Sequence, residues 1–172
     1  MQQSEIRKKR NKTADEALAA LMRLCARAEK SSGDALRLMR TWGVEPREQQ
    51  RVLERLVEQR FIDNERFAGA FVREKLRLSG WGAYKIRTAL QRKGIGRDTI
   101  DRALADATGG AAMKERLRAL LVRKMRTTRC ATPYDLRNKL MRYGMASGYE
   151  FETVADTVAE LIKETDTCDD IF

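Results

Sequence analysis

The chain contains no histidine. That removes the side chain that most often serves as a general base near neutral pH and most often ligates metals, and it argues against an enzyme. Cysteine is nearly as scarce. Cys25, Cys130 and Cys168 are odd in number, far apart and form no CxxC pair. A disulfide framework or a zinc site is therefore not expected, and a reducing cytoplasm fits. No apolar run approaches the roughly 20 residues of a membrane helix. Arg7, Lys8, Lys9 and Arg10 are followed by no apolar segment, so the start does not read as a secretory signal. Aromatic residues make up only 6% of the chain, which limits any single core. There are two prolines, Pro46 and Pro133, and each suits the first turn of a helix, where the missing N–H has no partner to lose.

What remains is charge and aliphatic residues. Charged residues reach 35% against an average of roughly 25%. Thirty-five Lys and Arg face 25 Asp and Glu, for a net charge of +10 and a pI near 9.8. Such a chain suits a polyanionic partner, most often nucleic acid. The composition favours helices over strands.

The helical signals fall into a repeat. Thr13-Ala14-Asp15-Glu16 reads as a capping box, followed by Leu18, Leu21, Met22 and Cys25 at helical spacing. Trp42-Gly43-Val44, Lys93-Gly94-Ile95 and Tyr143-Gly144-Met145 share one pattern, with the glycines 51 and then 50 residues apart. Apolar residues stand four and eight positions before each: Ala35 and Met39, Ile86 and Leu90, Leu136 and Leu140. Each glycine is expected just past a helix end, where a left-handed cap disfavours a β-carbon. A longer helix is expected before each of these, at about 14–30, 64–78 and 111–126, and a further apolar helix after. The reading is an all-α chain of three tandem three-helix repeats in an elongated, curved array. The boundaries are a disordered basic start at 1–12, repeats at 13–62, 63–108 and 111–163, and an acidic tail at 164–172. Thr108-Gly109-Gly110 is the candidate hinge. A unit of about 50 residues buries little alone, so neighbours are expected to stack.

The middle repeat is the most specific. Phe61-Ile62-Asp63-Asn64-Glu65-Arg66-Phe67-Ala68 is followed by Ser79-Gly80-Trp81-Gly82, then Ile86, Leu90 and Lys93-Gly94-Ile95. This resembles the RecX family, regulators of the recombinase RecA, closely over residues 60–106 and more loosely over 13–163. Asn64 stands where the family commonly has a second Asp, and Asn caps a helix about as well. The resemblance implies a protein without catalytic activity or cofactor. It implies binding to RecA filaments along their groove and to single- or double-stranded DNA. The expected effect is inhibition of strand exchange and ATP hydrolysis, through filament disassembly or blocked extension. A monomer is expected, because a module array needs no dimer.

Arg73, Lys75, Arg77, Lys85, Arg87, Arg92 and Lys93 crowd the middle repeat, opposed in that span only by Glu74. Arg116, Arg118, Arg123, Lys124, Arg126, Arg129, Arg137, Lys139 and Arg142 crowd the third, against Glu115 and Asp135. The seven of the middle repeat, with Arg123, Lys124, Arg126, Arg137, Lys139 and Arg142, are the candidates for RecA or DNA contact. A cationic surface gives sequence-tolerant, salt-sensitive affinity for phosphates. The same residues also suit acidic side chains on a protein filament, or simply a solvated helix face. Gly80-Trp81-Gly82-Ala83-Tyr84 could present amides to a phosphate, with Trp81 and Tyr84 stacking on bases. The alternative, which the helix–turn–helix context favours, is that these aromatics pack between units. Gly43, Asp63, Phe67, Gly94 and Gly144 are read as structural. A stand-alone helical DNA-binding regulator is the competing function. No metal site and no catalytic residue is expected.

Overall fold

The computed structural model describes residues 11–107, 109–130 and 132–169, which form nine α-helices and no strand. The helices come in threes: α1 (Ala14–Arg27), α2 (Ser32–Thr41) and α3 (Pro46–Glu58); α4 (Asn64–Glu74), α5 (Ala83–Arg92) and α6 (Arg97–Ala107); α7 (Gly110–Arg126), α8 (Pro133–Ala146) and α9 (Phe151–Asp169). The chain is thus all-α, built of three-helix repeats. None of the described helices is long and apolar enough to cross a membrane. α4 is extended by a π-helical turn, Lys75–Ser79, and Gly80, at φ +63°, closes it by donating its N–H to the Lys75 carbonyl.

By contacts the chain divides into two compact units. The first holds the described residues up to Phe67 together with Arg92–Ile95; the second holds Ala68–Gln91 and the residues from Gly96 onward.

In the first unit local chemistry sets the helix ends. Thr13 and Glu16 form the reciprocal capping box, with Glu16 N–H to Thr13 Oγ1 at 3.3 Å and Thr13 N–H to Glu16 Oε2 at 2.9 Å. Asn11 and Lys12, read from sequence as disordered, are placed: Lys12 N–H donates to the Trp42 carbonyl at 2.9 Å, and its ammonium lies 4.9 Å from the Trp42 ring centre. Residues 1–10 of that stretch lie outside the described residues. Pro46 opens α3 in its first turn, as its missing N–H allows. Ala17, Leu21, Ala35, Met39, Val52, Leu56 and Ile62 form the core between α1, α2 and α3. Gly43 ends α2 at φ +69°, and Val44 turns back to bond the Met39 carbonyl at 3.0 Å.

Asp63 caps α4, its Oδ1 accepting from the amides of Glu65 and Arg66 at 3.0 and 2.9 Å. The neighbouring Asn64 is therefore not the cap. It accepts from Ser32 N–H at 3.0 Å and donates from Nδ2 to Ser32 Oγ at 2.9 Å, using both halves of an amide where a carboxylate could only accept. The Lys93-Gly94 turn also belongs to this unit. Ser31 Oγ donates to the Lys93 carbonyl at 2.8 Å, and Gly33 N–H to the same oxygen at 3.2 Å. Gly33 has no room for a side chain, because a β-carbon there would lie 2.6 Å from the Lys93 carbonyl carbon.

Asp34 sits under this turn, its side chain 9% exposed, bonded to Lys93 Nζ at 3.1 Å and to Arg37. Burial pushes its carboxyl up, but the hydrogen bond and charge of Lys93, then those of Arg37, outweigh burial and hold it below the ordinary range. A carboxyl depressed in the folded state stabilises fully above its unfolded pKa, about 3.9, and that contribution is lost as pH falls through the lower folded value. Urea denaturation of the wild type and of Asp34→Asn should therefore respond differently to acid. The wild type loses the larger share of its stability as pH falls below about 4, and the variant the smaller. Parallel pH profiles would show that the carboxylate contributes nothing.

In the second unit Ala68, Val72, Leu76, Ile86, Leu90, Ile100 and Leu104 are buried. Leu117, Leu121, Leu140, Val154, Val158 and Leu161 form the core where α7, α8 and α9 pack together. Two expectations are corrected here. Gly144 does not end its helix: α8 runs on to Ala146, and the left-handed residue is Gly148, at φ +90°. After this turn Tyr149 is 6% exposed, whereas Met145 is 44% exposed. Gly144 is instead a close-approach point, where a β-carbon would lie 2.7 Å from Val154 Cγ1. The stretch read as an acidic tail is helical to Asp169, because α9 continues through it; residues 170–172 lie outside the described residues.

Candidate binding surface

The thirteen candidate cations divide by what holds them. In the middle repeat four are engaged within the fold. Lys75 pairs with Glu74 at 2.7 Å and lies 5.3 Å from the Phe71 ring centre and 5.5 Å from that of Trp81. Lys85 lies 4.8 Å from the Trp81 ring centre and donates to the Ala146 carbonyl at 3.3 Å. Arg87 pairs with Asp101, and Lys93 with Asp34.

Trp81 is accordingly half-buried, edge-on to Phe71 at 6.4 Å and flanked by two ammonium groups, the arrangement cation–π attraction favours. Its packing is within the second unit. Tyr84 is 71% exposed. The turn they flank offers few free amides. Trp81 N–H bonds the Lys75 carbonyl at 3.1 Å, Gly82 N–H the Ser147 carbonyl at 2.7 Å and Tyr84 N–H the Gly148 carbonyl at 3.1 Å. The phosphate-cradle reading of this turn is overturned for that reason.

Arg73, Arg77 and Arg123 come together in a second group. They line two adjoining hollows of about 360 and 380 Å³ with Arg116, Leu76, Leu78, Ala103, Asp106 and Leu120. Arg73 and Arg77 project together because four residues make about one helical turn, and the π-helical turn begins between them. Leu78 is 68% exposed beside them. Arg116 reaches the Ala107 carbonyl at 3.5 Å, and none of the four arginines is in an ion pair among the described residues. Solvated guanidinium groups beside an aliphatic floor suit a surface that is both acidic and apolar.

Lys124, Lys139 and Arg142 come together elsewhere, with Arg129, Thr127, Thr128 and Tyr143, around a cleft of about 540 Å³ between the end of α7 and α8. Arg92, Arg126 and Arg137 are exposed, line none of these three hollows and have no ion pair among the described residues. Arg116 and Arg129 belong to the basic run read in the third repeat but not to the thirteen candidates, and Leu78 to neither. Arg116 and Arg123 stand seven residues apart on α7, a spacing that returns to the same helix face, and this signal could have found Arg116. Nothing local marks Leu78. No group of three or more His, Cys, Asp or Glu side chains among the described residues could hold a metal ion.

Comparison with known proteins bears on the family and the fold. A family model described as RecX, second three-helix domain, matches residues 63–104. Regulatory protein RecX of Clostridium botulinum (strain Alaska E43 / Type E3) is 34% identical over 110 residues, 61% of this chain and 49% of that protein. The chain spans about half the length of that relative and of its counterpart in strain Eklund 17B / Type B, where coverage is 50%. The match to regulatory protein RecX of Pseudomonas savastanoi pv. phaseolicola is broader: 31% identity over 135 residues, 77% of this chain and 83% of that protein. Two solved structures share the fold. One, titled crystal structure of regulatory protein RecX, has a TM-score of 0.76 at 22% identity and covers 88% of this chain and 73% of its own. RecX from Lactobacillus salivarius has a TM-score of 0.72 at 16% identity and covers 87% of this chain and 96% of its own. With its helical triplets, its middle-repeat motif and a relative matched over most of its length, this chain belongs to the RecX family.

Proposed function

We propose that this protein binds RecA nucleoprotein filaments and DNA and lowers recombinase and ATPase activity by blocking filament extension or promoting disassembly. The observation that carries the reading is the trough of Arg73, Arg77, Arg116 and Arg123, with no ion pair among the described residues, beside exposed Leu78 on a chain of this family. A charged surface with an apolar floor gives both steering and a desolvated anchor for a protein partner. The chain acts as a cytoplasmic monomer whose three repeats work without cofactor or catalysis.

The test is the ATPase rate of RecA on single-stranded DNA while this protein is titrated in. A regulator that acts at filament ends lowers the rate well below one molecule per RecA monomer. Suppression that needs equimolar protein points to coating along the groove instead. No change at equimolar protein would leave the competing reading, a stand-alone DNA-binding regulator, and sequence-specific footprints without RecA would then support it.

A further inference from the structure

We infer that the cleft between the carboxyl-terminal end of α7 and α8 is a phosphodiester site that grips the sugar-phosphate backbone of nucleic acid, an assignment that rests on the function proposed above and separates DNA from the protein partner. The cleft is lined by Lys124, Arg129, Lys139 and Arg142 with Thr127, Thr128 and Tyr143. Among the described residues it is lined by four cations and three hydroxyls, with no carboxylate and no aliphatic side chain. The arginine trough, by contrast, has leucines and alanines in its floor.

α7 shows how unusual this is. In its first half two of the three cations are neutralised by α9: Lys114 bonds Glu160 at 2.8 Å and Arg118 bonds Glu164 at 2.6 Å, while Arg116 faces the arginine trough. Beyond Arg118 the helix carries Arg123, Lys124 and Arg126, and none has an ion-pair partner among the described residues.

The cleft cations are held in place by groups that supply no net negative charge. Lys139 Nζ donates to the Arg129 carbonyl at 2.9 Å, and Arg142 Nε to the Asn138 carbonyl at 3.4 Å. The Lys124 ammonium lies 5.1 Å from the centre of the Tyr143 ring. Each is positioned with its charge uncompensated, which reduces the ordering an anion must impose on binding. The end of a helix dipole would explain part of this, but it amounts to roughly half a charge. Here that end is already hydrogen-bonded, since the hydroxyls of Thr127 and Thr128 both donate to the Lys124 carbonyl, at 3.0 and 2.7 Å. Four positive charges around one cleft repel; the negative charge of a chain of phosphates relieves that repulsion, and neutralising the phosphates releases the counterions condensed on the polymer.

The experiment is fluorescence anisotropy of a labelled oligothymidylate with the full chain across a range of KCl concentrations. It compares the wild type, Lys139→Gln/Arg142→Gln and the control Lys114→Gln/Arg118→Gln. All four substituted side chains lie on the surface, and circular dichroism checks that the variants remain helical. The cleft variant should bind roughly tenfold or more weakly at low salt. Its log–log salt slope should be shallower by about 1.4, the loss of two contacts to a single strand. The control should leave the slope unchanged. An unchanged slope in the cleft variant, or a wild type that binds no oligonucleotide, overturns the assignment. Inorganic phosphate that displaces the oligonucleotide at matched ionic strength would make the ligand free phosphate, and it too would overturn the polymer site. The RecA ATPase titration separates the two ideas: a wild type that binds the oligonucleotide but leaves the ATPase unchanged sinks the proposed function and keeps the cleft.

Discussion

Gly82→Val should lower the thermal midpoint by roughly 6–12 °C, the consequence of about 3 kcal/mol of overpacking in a domain of this size. Gly82 is buried, and its N–H donates to the Ser147 carbonyl at 2.7 Å. A β-carbon at this position would lie 2.6 Å from the Tyr149 amide nitrogen and closer still to the Gly148 carbonyl. The obstacle is backbone, which cannot rotate away as a side chain can. Its partner surface is equally rigid: Gly148 is in the left-handed region, and a β-carbon added there would lie 2.6 Å from the Lys85 amide nitrogen. The contact is thus backbone against backbone, between the start of α5 and the turn after α8. Gly96→Ala is the internal control. A β-carbon there meets nothing within 4 Å, and the residue has no positive φ. It should leave the midpoint unchanged or raise it slightly, since alanine restricts the unfolded chain by about 0.4–1 kcal/mol. Differential scanning calorimetry of the two variants decides the matter. If Gly82→Val melts with Gly96→Ala, the contact is looser than described.

Arg77→Glu/Arg116→Glu should raise the concentration needed to suppress RecA ATPase by roughly 100-fold or more, since loss of an anchoring interface residue commonly costs 2 kcal/mol or more and reversal adds repulsion. Both arginines line the two adjoining hollows, and neither is committed to an acid among the described residues. Reversal therefore removes charge from the partner surface without breaking a structural ion pair. Arg87→Glu would be a poor probe, because Arg87 pairs with Asp101 and its reversal would damage the fold as well as the surface. Oligonucleotide affinity of the double variant should stay within a few-fold of wild type. If ATPase suppression is unchanged, the trough is not where the filament docks. If DNA affinity falls in parallel, the trough is a nucleic-acid surface.

Some features depend on interactions within a few residues of one another, and those were legible. The capping box needs only Thr13 and Glu16, three positions apart, and the Asp63 cap needs only the next three residues. Gly43 and Gly94 were found because the left-handed region is closed to most other residues, whatever surrounds the turn. The same rule misplaced the third glycine. Gly144 matched the repeat spacing, but α8 continues for another two residues, and what excludes a side chain there is Val154 on another helix. Spacing could not distinguish a glycine required by backbone torsion from one required by close packing.

By itself, the sequence determined an all-α chain of three-helix repeats, the family to which it belongs, and a strong positive charge concentrated in the second and third repeats. These follow from composition, from short-range hydrogen bonding and from a motif in contiguous residues. Only the tertiary structure decided which cations are available. Lys93 is held by Asp34, 59 positions away, and Arg118 by Glu164, 46 positions away, whereas Arg77 and Lys139, no different in composition, meet no acid among the described residues. The physical reason is the range of the forces that build the fold. A cap or a turn is settled within about one helical turn, but a charge is neutralised only by the acid that packing brings within a few ångströms, and no local pattern encodes that distance.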